Sequence, residues 1–326
     1  MPDRDTPLPG ILTALGAFAL FAAHDVVIKT LGVDYAVFQI VFFSVLSTFP
    51  FVTFMLLRDA EVGTLIPRHP WWSALRTLSA VITGFTAFYA FSSLPLAQVY
   101  AILFAAPLVI TILSIPILGE KVGIHRGAAV IVGLVGVMIV LRPGTTHLAL
   151  GHAAALAAAV FGALTSVIVR KIGREERAAV LMLYPMMANF LVMGILMPFV
   201  YRPMPLPDLG LWLLMAALAF LGGLGMIQAY RRADAVLVAP MQYSQIIWAA
   251  IYGWLFFGES VDGATALGAA VIIASGLYIV LREGRGGRST NTPVLRTRSR
   301  PETGTAFRIG RMLSEEERSV QVRPNR

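Results

Sequence analysis

Gly119-Glu120-Lys121-Val122 and Gly258-Glu259-Ser260-Val261 are one motif written twice, once in each half of the chain. Working outward from it, Gly136, Ile139, Val140, Leu141, Arg142 and Gly144 return as Gly276, Ile279, Val280, Leu281, Arg282 and Gly284. Toward the N-terminus, Ile28-Lys29-Thr30-Leu31-Gly32 matches Val169-Arg170-Lys171-Ile172-Gly173 at almost the same offset. Three matches at nearly one spacing mark an internal duplication.

Each copy holds five apolar runs: 8–28, 37–57, 71–91, 96–118 and 123–141, then 149–169, 178–201, 209–230, 236–257 and 264–281. The runs are about 18 to 24 residues long, near the roughly 20 that a helix needs to cross a bilayer core. A soluble helical protein would place a polar face every three or four residues, and most of these runs have none. The 57% apolar content and mean hydropathy of +0.75 agree. Lipid demands that backbone groups be satisfied within the segment, and uninterrupted runs of this length do so as helices. The first run has no small-residue cleavage site before Asp25 and is expected to stay as a helix. The expected fold is all-α integral membrane, with ten transmembrane helices. Five crossings per copy turn the second copy over, so the helices form two inverted five-helix repeats, an architecture of secondary transporters. Residues 1–145 hold the first repeat, 146–284 the second, and 285–326 a disordered, Arg-rich cytoplasmic tail.

Cations give the orientation. With a cytoplasmic N-terminus, the inner loops hold most of the Lys and Arg, and the outer loops only Lys29, Arg142 and Arg202. The positive-inside rule then places both termini in the cytoplasm, in the inner (plasma) membrane of the cell. The net charge of +8 arises from this asymmetry and from the tail, so it is no sign of nucleic-acid binding. The expected partners are a small-molecule substrate and anionic lipid beside the tail, and a homodimer stays open. There is no cysteine, which excludes disulfides, thiol nucleophiles and thiolate-bound metals. The five histidines show no metal-ligand spacing, and no phosphate-binding Gly-rich loop ends in Lys-Ser/Thr. No metal, no cofactor and no direct ATP drive is expected.

Leu94-Pro95-Leu96-Ala97, Pro107, Leu118-Gly119-Glu120 and Arg126-Gly127 in the first half form one half of a signature. The other half is Ala239-Pro240-Met241-Gln242-Tyr243-Ser244-Gln245, Trp248, Gly253-Trp254, Phe256-Phe257-Gly258-Glu259, Gly268 and Gly276. Over about residues 8–284 the sequence resembles the drug/metabolite transporter superfamily, and within it the EamA-type ten-helix transporters. The resemblance implies a carrier of small organic metabolites, amino acids or related compounds first, with nucleoside-like metabolites and cationic drugs open. One departure is Ser44, which stands where members of that family often carry an arginine in the second helix; this argues against a simple anionic substrate.

In inverted-repeat transporters substrate binds near the midplane, between the repeats. Polar and aromatic residues inside the runs are therefore the substrate-binding candidates: Ser44, Thr83, Asn189, Tyr243, Ser244, Gln245 and Trp248. Serines and threonines have a competing role in bonding back to their own helix. The amides of Asn189 and Gln245 need a partner in hydrocarbon, and Trp248 either packs or stacks on a flat or cationic ligand. Tyr89, Tyr100, Tyr184 and Tyr243 lie nearer the helix ends. Trp71, Trp72, Trp212 and Tyr201 are expected in the interfacial belt.

His24, Asp25 and Lys29 are candidates for gating or proton coupling. Asp25 is the one carboxylate inside a run, and its four-residue spacing from Lys29 favours an ion pair on one helix face. Glu120 and Glu259 read as structural, each accepting hydrogen bonds from the N-terminus of the next helix. Pro107, Pro116, Pro185 and Pro240 are candidate breaks or kinks. Two other classes compete with the carrier. An intramembrane enzyme would need more clustered polar groups than His24 and Asp25. A structural or regulatory protein using the tail as a docking arm would leave the duplicated helices unexplained.

Overall fold

The computed structural model describes residues 8–57, 64–120, 122–143, 149–173, 175–233 and 235–285. Every regular element among them is helical. The first copy of the repeat contains α1 (Leu8–Leu31), α2 (Val37–Leu57), α3 (Pro70–Ser93), α4 (Leu96–Leu103), α5 (Ala106–Leu118) and α6 (Ile124–Leu141). The second contains α7 (Leu150–Ile172), α8 (Ala178–Val200), α9 (Leu206–Arg232), α10 (Ala235–Val238), a 3-10 turn (Ala239–Ser244), α11 (Gln245–Phe257) and α12 (Gly263–Arg285). Each helix of the first copy thus has its counterpart in the second, in the same order. The tail beyond 285 lies outside the described residues.

Seven stretches are long and apolar enough to cross a membrane: α1, α3, Leu96–Leu118, α6, α7, Ala179–Val200 and α9. Val37–Pro50 and Gly263–Ile279 are shorter apolar helices, and the tenth span is the ninth run. The fourth and ninth runs do not fold as single straight helices. Pro107 sits in the first turn of α5, and Pro240 in the 3-10 turn before α11. A proline has no N–H to give to the preceding turn. Pro107 and Pro240 are not equivalent positions, yet α5 and α11 begin at equivalent residues, Ala106 and Gln245. Pro116, Pro185 and Pro198 lie inside continuous helices.

The packing repeats with the sequence. α1 lies along α9 and its counterpart α7 along α3, while α2 meets α8 and α6 meets α12. Lipid gives helices no hydrophobic reason to associate, so close approach has to come from small side chains. A Cβ on Gly136 would fall 2.9 Å from the Gly268 carbonyl oxygen, and one on Gly268 would fall 2.7 Å from that of Gly136. These two backbones touch through glycine. On α7, which packs against α3 and α5, the small residues Ala155, Ala158, Ala159 and Ala163 are buried, Ala163 beside Ile110 of α5. Ser275 on α12 donates its hydroxyl to the Ala129 carbonyl on α6, joining the two repeats.

Candidate functional site

The Gly-Glu motif shows its purpose in the turns. Gly119 and Gly258 have φ of 70° and 65°, the left-handed region that costs other residues about 1–2 kcal/mol. The Gly119 N–H bonds the Ile115 carbonyl at 3.0 Å and the Glu120 N–H that of Ser114 at 3.3 Å. The second copy repeats this with Gly258 to Trp254 at 3.1 Å and Glu259 to Gly253 at 2.9 Å. Both helices end in the hydrogen-bonded glycine cap, which turns the following glutamate back toward the bundle.

Neither glutamate caps the next helix, contrary to the sequence-based expectation. Glu259 pairs with the Lys29 ammonium on α1 and accepts the Leu96 N–H at the start of α4, 3.0 Å away. Glu120 pairs with the Arg170 guanidinium on α7. The reason is reach: the glycine cap aims each carboxylate across the repeat interface, where a cation waits. Lys29 also donates to the Leu94 carbonyl at 2.5 Å, and its ammonium lies 5.2 Å from the Phe257 ring centre. Lys29 and Arg170 are equivalents in the duplicated sequence, as are Glu259 and Glu120. The molecule therefore makes one inter-repeat ion pair twice, at opposite ends of the broken span formed by α4 and α5.

The expected Asp25–Lys29 pair is replaced by two separate contacts. With Lys29 held by Glu259, Asp25 turns inward and is fully buried, as is His24. His24 Nδ1 lies 2.9 Å from Asp25 Oδ1, the Tyr100 hydroxyl on α4 donates to Asp25 Oδ2, and Gln245 Nε2 on α11 donates to the Tyr100 oxygen at 3.3 Å. His24 Nε2 has no partner among the described residues, and its ring stands edge-on to Phe88, centroids 6.3 Å apart. One polar chain thus links α1 and the two broken spans, and so both repeats. Beside it the breaks meet: Phe104 and Tyr243, equivalents in the duplicated sequence, cross edge to face at 5.1 Å. The Tyr243 hydroxyl lies against Gly276, where no Cβ would fit.

Tyr100 is the member that sequence reasoning set aside. It is 2% exposed, in the short helix α4. No local signal marks it: Tyr100 lies one turn inside α4 from Leu96, and its partners Asp25 and Gln245 come from two distant helices.

The other candidates lie apart from this chain. Thr83 is buried on α3 and bonds back to the Ser79 carbonyl at 2.7 Å, while half-buried Ser244 bonds back to Met241 at 2.6 Å. Ser44 is buried on α2. Asn189 on α8 gives Nδ2 to the Pro185 carbonyl at 3.0 Å; its buried Oδ1 has no partner among the described residues and faces Gly84 on α3. Trp248 packs with Phe18 and Phe21 of α1 and stacks on Tyr252 at 6.1 Å, its indole N–H likewise buried without a partner among the described residues. Trp212 is not in an interfacial belt: it is 3% exposed, enclosed by Tyr35 at 6.1 Å and Phe43 at 5.3 Å. Trp71 is 86% exposed and half-buried Trp72 lies under Lys171, 4.6 Å from its ring centre.

Outside the spans, short polar contacts close the loops. The Tyr35 hydroxyl donates to Asp208, which holds its phenol up at about 12. Gln39 exchanges two 2.9 Å hydrogen bonds with the Arg202 backbone. Burial opposes the charge of Asp262, yet the Thr265 N–H and hydroxyl and the Arg142 guanidinium hold its carboxyl below the ordinary range.

Known proteins share this plan. The model of the EamA-like transporter family matches the chain twice, over residues 8–142 and 149–282. A riboflavin transporter of Vibrio cholerae is 30% identical over 227 residues, covering 67% of this chain and 74% of its own. An S-adenosylmethionine uptake transporter of Rickettsia prowazekii is 26% identical, over 85% of this chain and 94% of its own. A pseudopaline exporter of Pseudomonas aeruginosa is also 26% identical, over 82% and 94%. A solved crystal structure shares the fold with a TM-score of 0.53 at 20% identity, over 85% of this chain and 96% of that one. With both halves matched and metabolite transporters for relatives, the chain belongs to the EamA-like transporter family, a multi-pass membrane protein of the drug/metabolite transporter superfamily that transports small molecules.

Proposed function

We propose that this transporter is a secondary carrier of small organic metabolites, amino acids or related compounds first, working by alternating access. It sits in the inner membrane with both termini cytoplasmic, as the cation asymmetry of its loops supports. The observation that carries the reading is the buried chain His24–Asp25–Tyr100–Gln245, spanning both repeats beside two broken helices. Burying these groups in hydrocarbon is costly and gives no packing advantage over apolar side chains, so they mark a working site. His24 and Asp25 are the proton-coupling pair in this reading. Asn189 Oδ1 and the Trp248 indole N–H are one acceptor and one donor through which a polar metabolite docks. The basic tail rests on anionic lipid.

The test is counterflow into proteoliposomes of the purified protein, with labelled amino acids, S-adenosylmethionine and riboflavin, the last two being cargoes named for its relatives. The expected result is saturable exchange of one class that Asn189→Ala and Trp248→Ala each lower at least tenfold while the protein stays folded. Exchange of no compound by folded protein would overturn the substrate class. Full exchange by Asp25→Asn with its pH dependence intact would remove the proton role.

A further inference from the structure

The two inter-repeat ion pairs bear directly on how such a carrier turns over. Lys29–Glu259 ties the end of α1 to the turn after α11, and through the Leu96 N–H and the Leu94 carbonyl it also holds the start of α4. Arg170–Glu120 ties the end of α7 to the turn after α5, and next to it the Lys171 ammonium donates to the Ile117 carbonyl at 2.6 Å. The pairs stand at opposite ends of the bundle, since Leu96 begins the fourth span and Glu120 follows its end. Their side chains are only 5–18% exposed. Charges that far from water depend on their partner much more than surface pairs do.

Both pairs join the repeats rather than bracing either one. A rocking motion of one repeat against the other must therefore lengthen one pair and can leave the other intact. From this geometry we infer that Lys29–Glu259 and Arg170–Glu120 are two exchangeable latches, one for each face, and that each cycle opens them in alternation. The glycine caps serve the latches. A left-handed glycine before each glutamate turns the backbone so that the glutamate's Cα stands beside the facing cation. The inference rests on the carrier reading above and deepens it by naming the residues that hold each face shut.

The chain has no cysteine, so a single introduced thiol reports access without background. Ala97→Cys places a thiol beside Leu96 behind the Lys29–Glu259 latch. Ser114→Cys places one behind the other latch, at the residue whose carbonyl caps the Glu120 turn. Both positions are buried, at 5% and 0% exposure. Labelling with a membrane-impermeant maleimide is measured in vesicles of both orientations, so no substrate need be known. With Glu259→Gln, the thiol at 97 is expected to react roughly five- to tenfold faster and the thiol at 114 more slowly; with Glu120→Gln the pattern reverses. Lys29→Gln and Arg170→Gln break the same latches from the other side and are expected to follow their partners. A variant that loosens the whole fold raises both thiols, and that result overturns the inference, as does labelling unchanged at both. Either failure, with wild-type counterflow intact, would leave the carrier reading standing and remove only the latches.

Discussion

The ends of the molecule and its middle obey different rules. At the ends the two repeats are copies of one another: the same left-handed glycine, the same glutamate, a cation at the equivalent position, the same inter-repeat pair. In the middle the likeness stops. His24 and Asp25 of α1 correspond to Thr165 and Ser166 of α7, and Tyr100 of α4 corresponds to Ala239. The Ser166 hydroxyl merely bonds back to Gly162 at 3.0 Å. Under the carrier reading proposed above, symmetry is kept where the two faces would open and close by the same motion. It is given up at the buried polar chain, where His24, Asp25 and Tyr100 come from the first repeat and only Gln245 from the second.

The largest expected effect comes from breaking the middle on one side only. Asp25→Ala leaves His24 and Tyr100 buried without their shared acceptor and is expected to cost about 3–5 kcal/mol of stability. Ser166→Ala, at the equivalent position, is expected to cost about 1 kcal/mol or less, because only a bond to its own helix is lost. Thermal unfolding of the two variants in one detergent compares them directly, and equal losses would show that the polar chain has no special standing. Tyr100→Phe sharpens the point. It deletes one hydroxyl while keeping the ring against Phe91 and Phe104, and is expected to cost about 1–3 kcal/mol.

A smaller loss is expected where the repeats touch through glycine. Gly268→Ala pushes a methyl group into the backbone of α6, which forces the helices apart at a cost of about 1–3 kcal/mol. Gly127→Ala, on α6 with open space around it, is expected to leave stability unchanged or raise it by a few tenths of a kcal/mol through better helix propensity. Denaturation midpoints that move together for both variants would refute the tight α6–α12 contact.

The ends were legible in the sequence and the middle was not, and the reason is physical. A glycine cap, a proline break and a membrane-length apolar run are local: each is decided within a short stretch of chain, so the duplicated motif and the ten spans could be read off directly. Partner choice is not local. Asp25 and Lys29 have the spacing of a helix pair, but Lys29 reaches Glu259 in the other repeat, because the fold brings the glycine-capped turn to it. Tyr100 reads as a residue near a helix end until Asp25 and Gln245 are found as its partners. Trp212 reads as an interfacial aromatic until Tyr35 and Phe43 are found around it. Amide and hydroxyl side chains in the spans were all equal candidates from sequence, and only the structure separates Gln245, bonded across the repeats, from Thr83 and Ser244, which bond to their own turns.

The smallest expected effect tests whether the ends are copies in every respect. α12 is preceded by Asp262, whose carboxylate accepts the Thr265 N–H at 2.8 Å and its hydroxyl at 3.1 Å, whereas α6 is preceded by Gly123 and has no side-chain cap. Asp262 also faces Arg142, a contact that Gly123 at the equivalent position has no side chain to make. Half of the Asp262 side chain is exposed, which limits its worth to under about 1 kcal/mol. Its carboxyl is held below the ordinary value of 3.8 in the folded protein. The contribution is therefore fully present above that value and fades as pH falls through the lowered one. Unfolding temperatures of wild type and Asp262→Asn are expected to differ slightly at about pH 6 and to converge as pH falls below the ordinary value of 3.8 and through the lowered one. A gap that stays constant over that range would assign the difference to hydrogen-bond geometry alone, and the charge contact with Arg142 would then play no part in holding this end together.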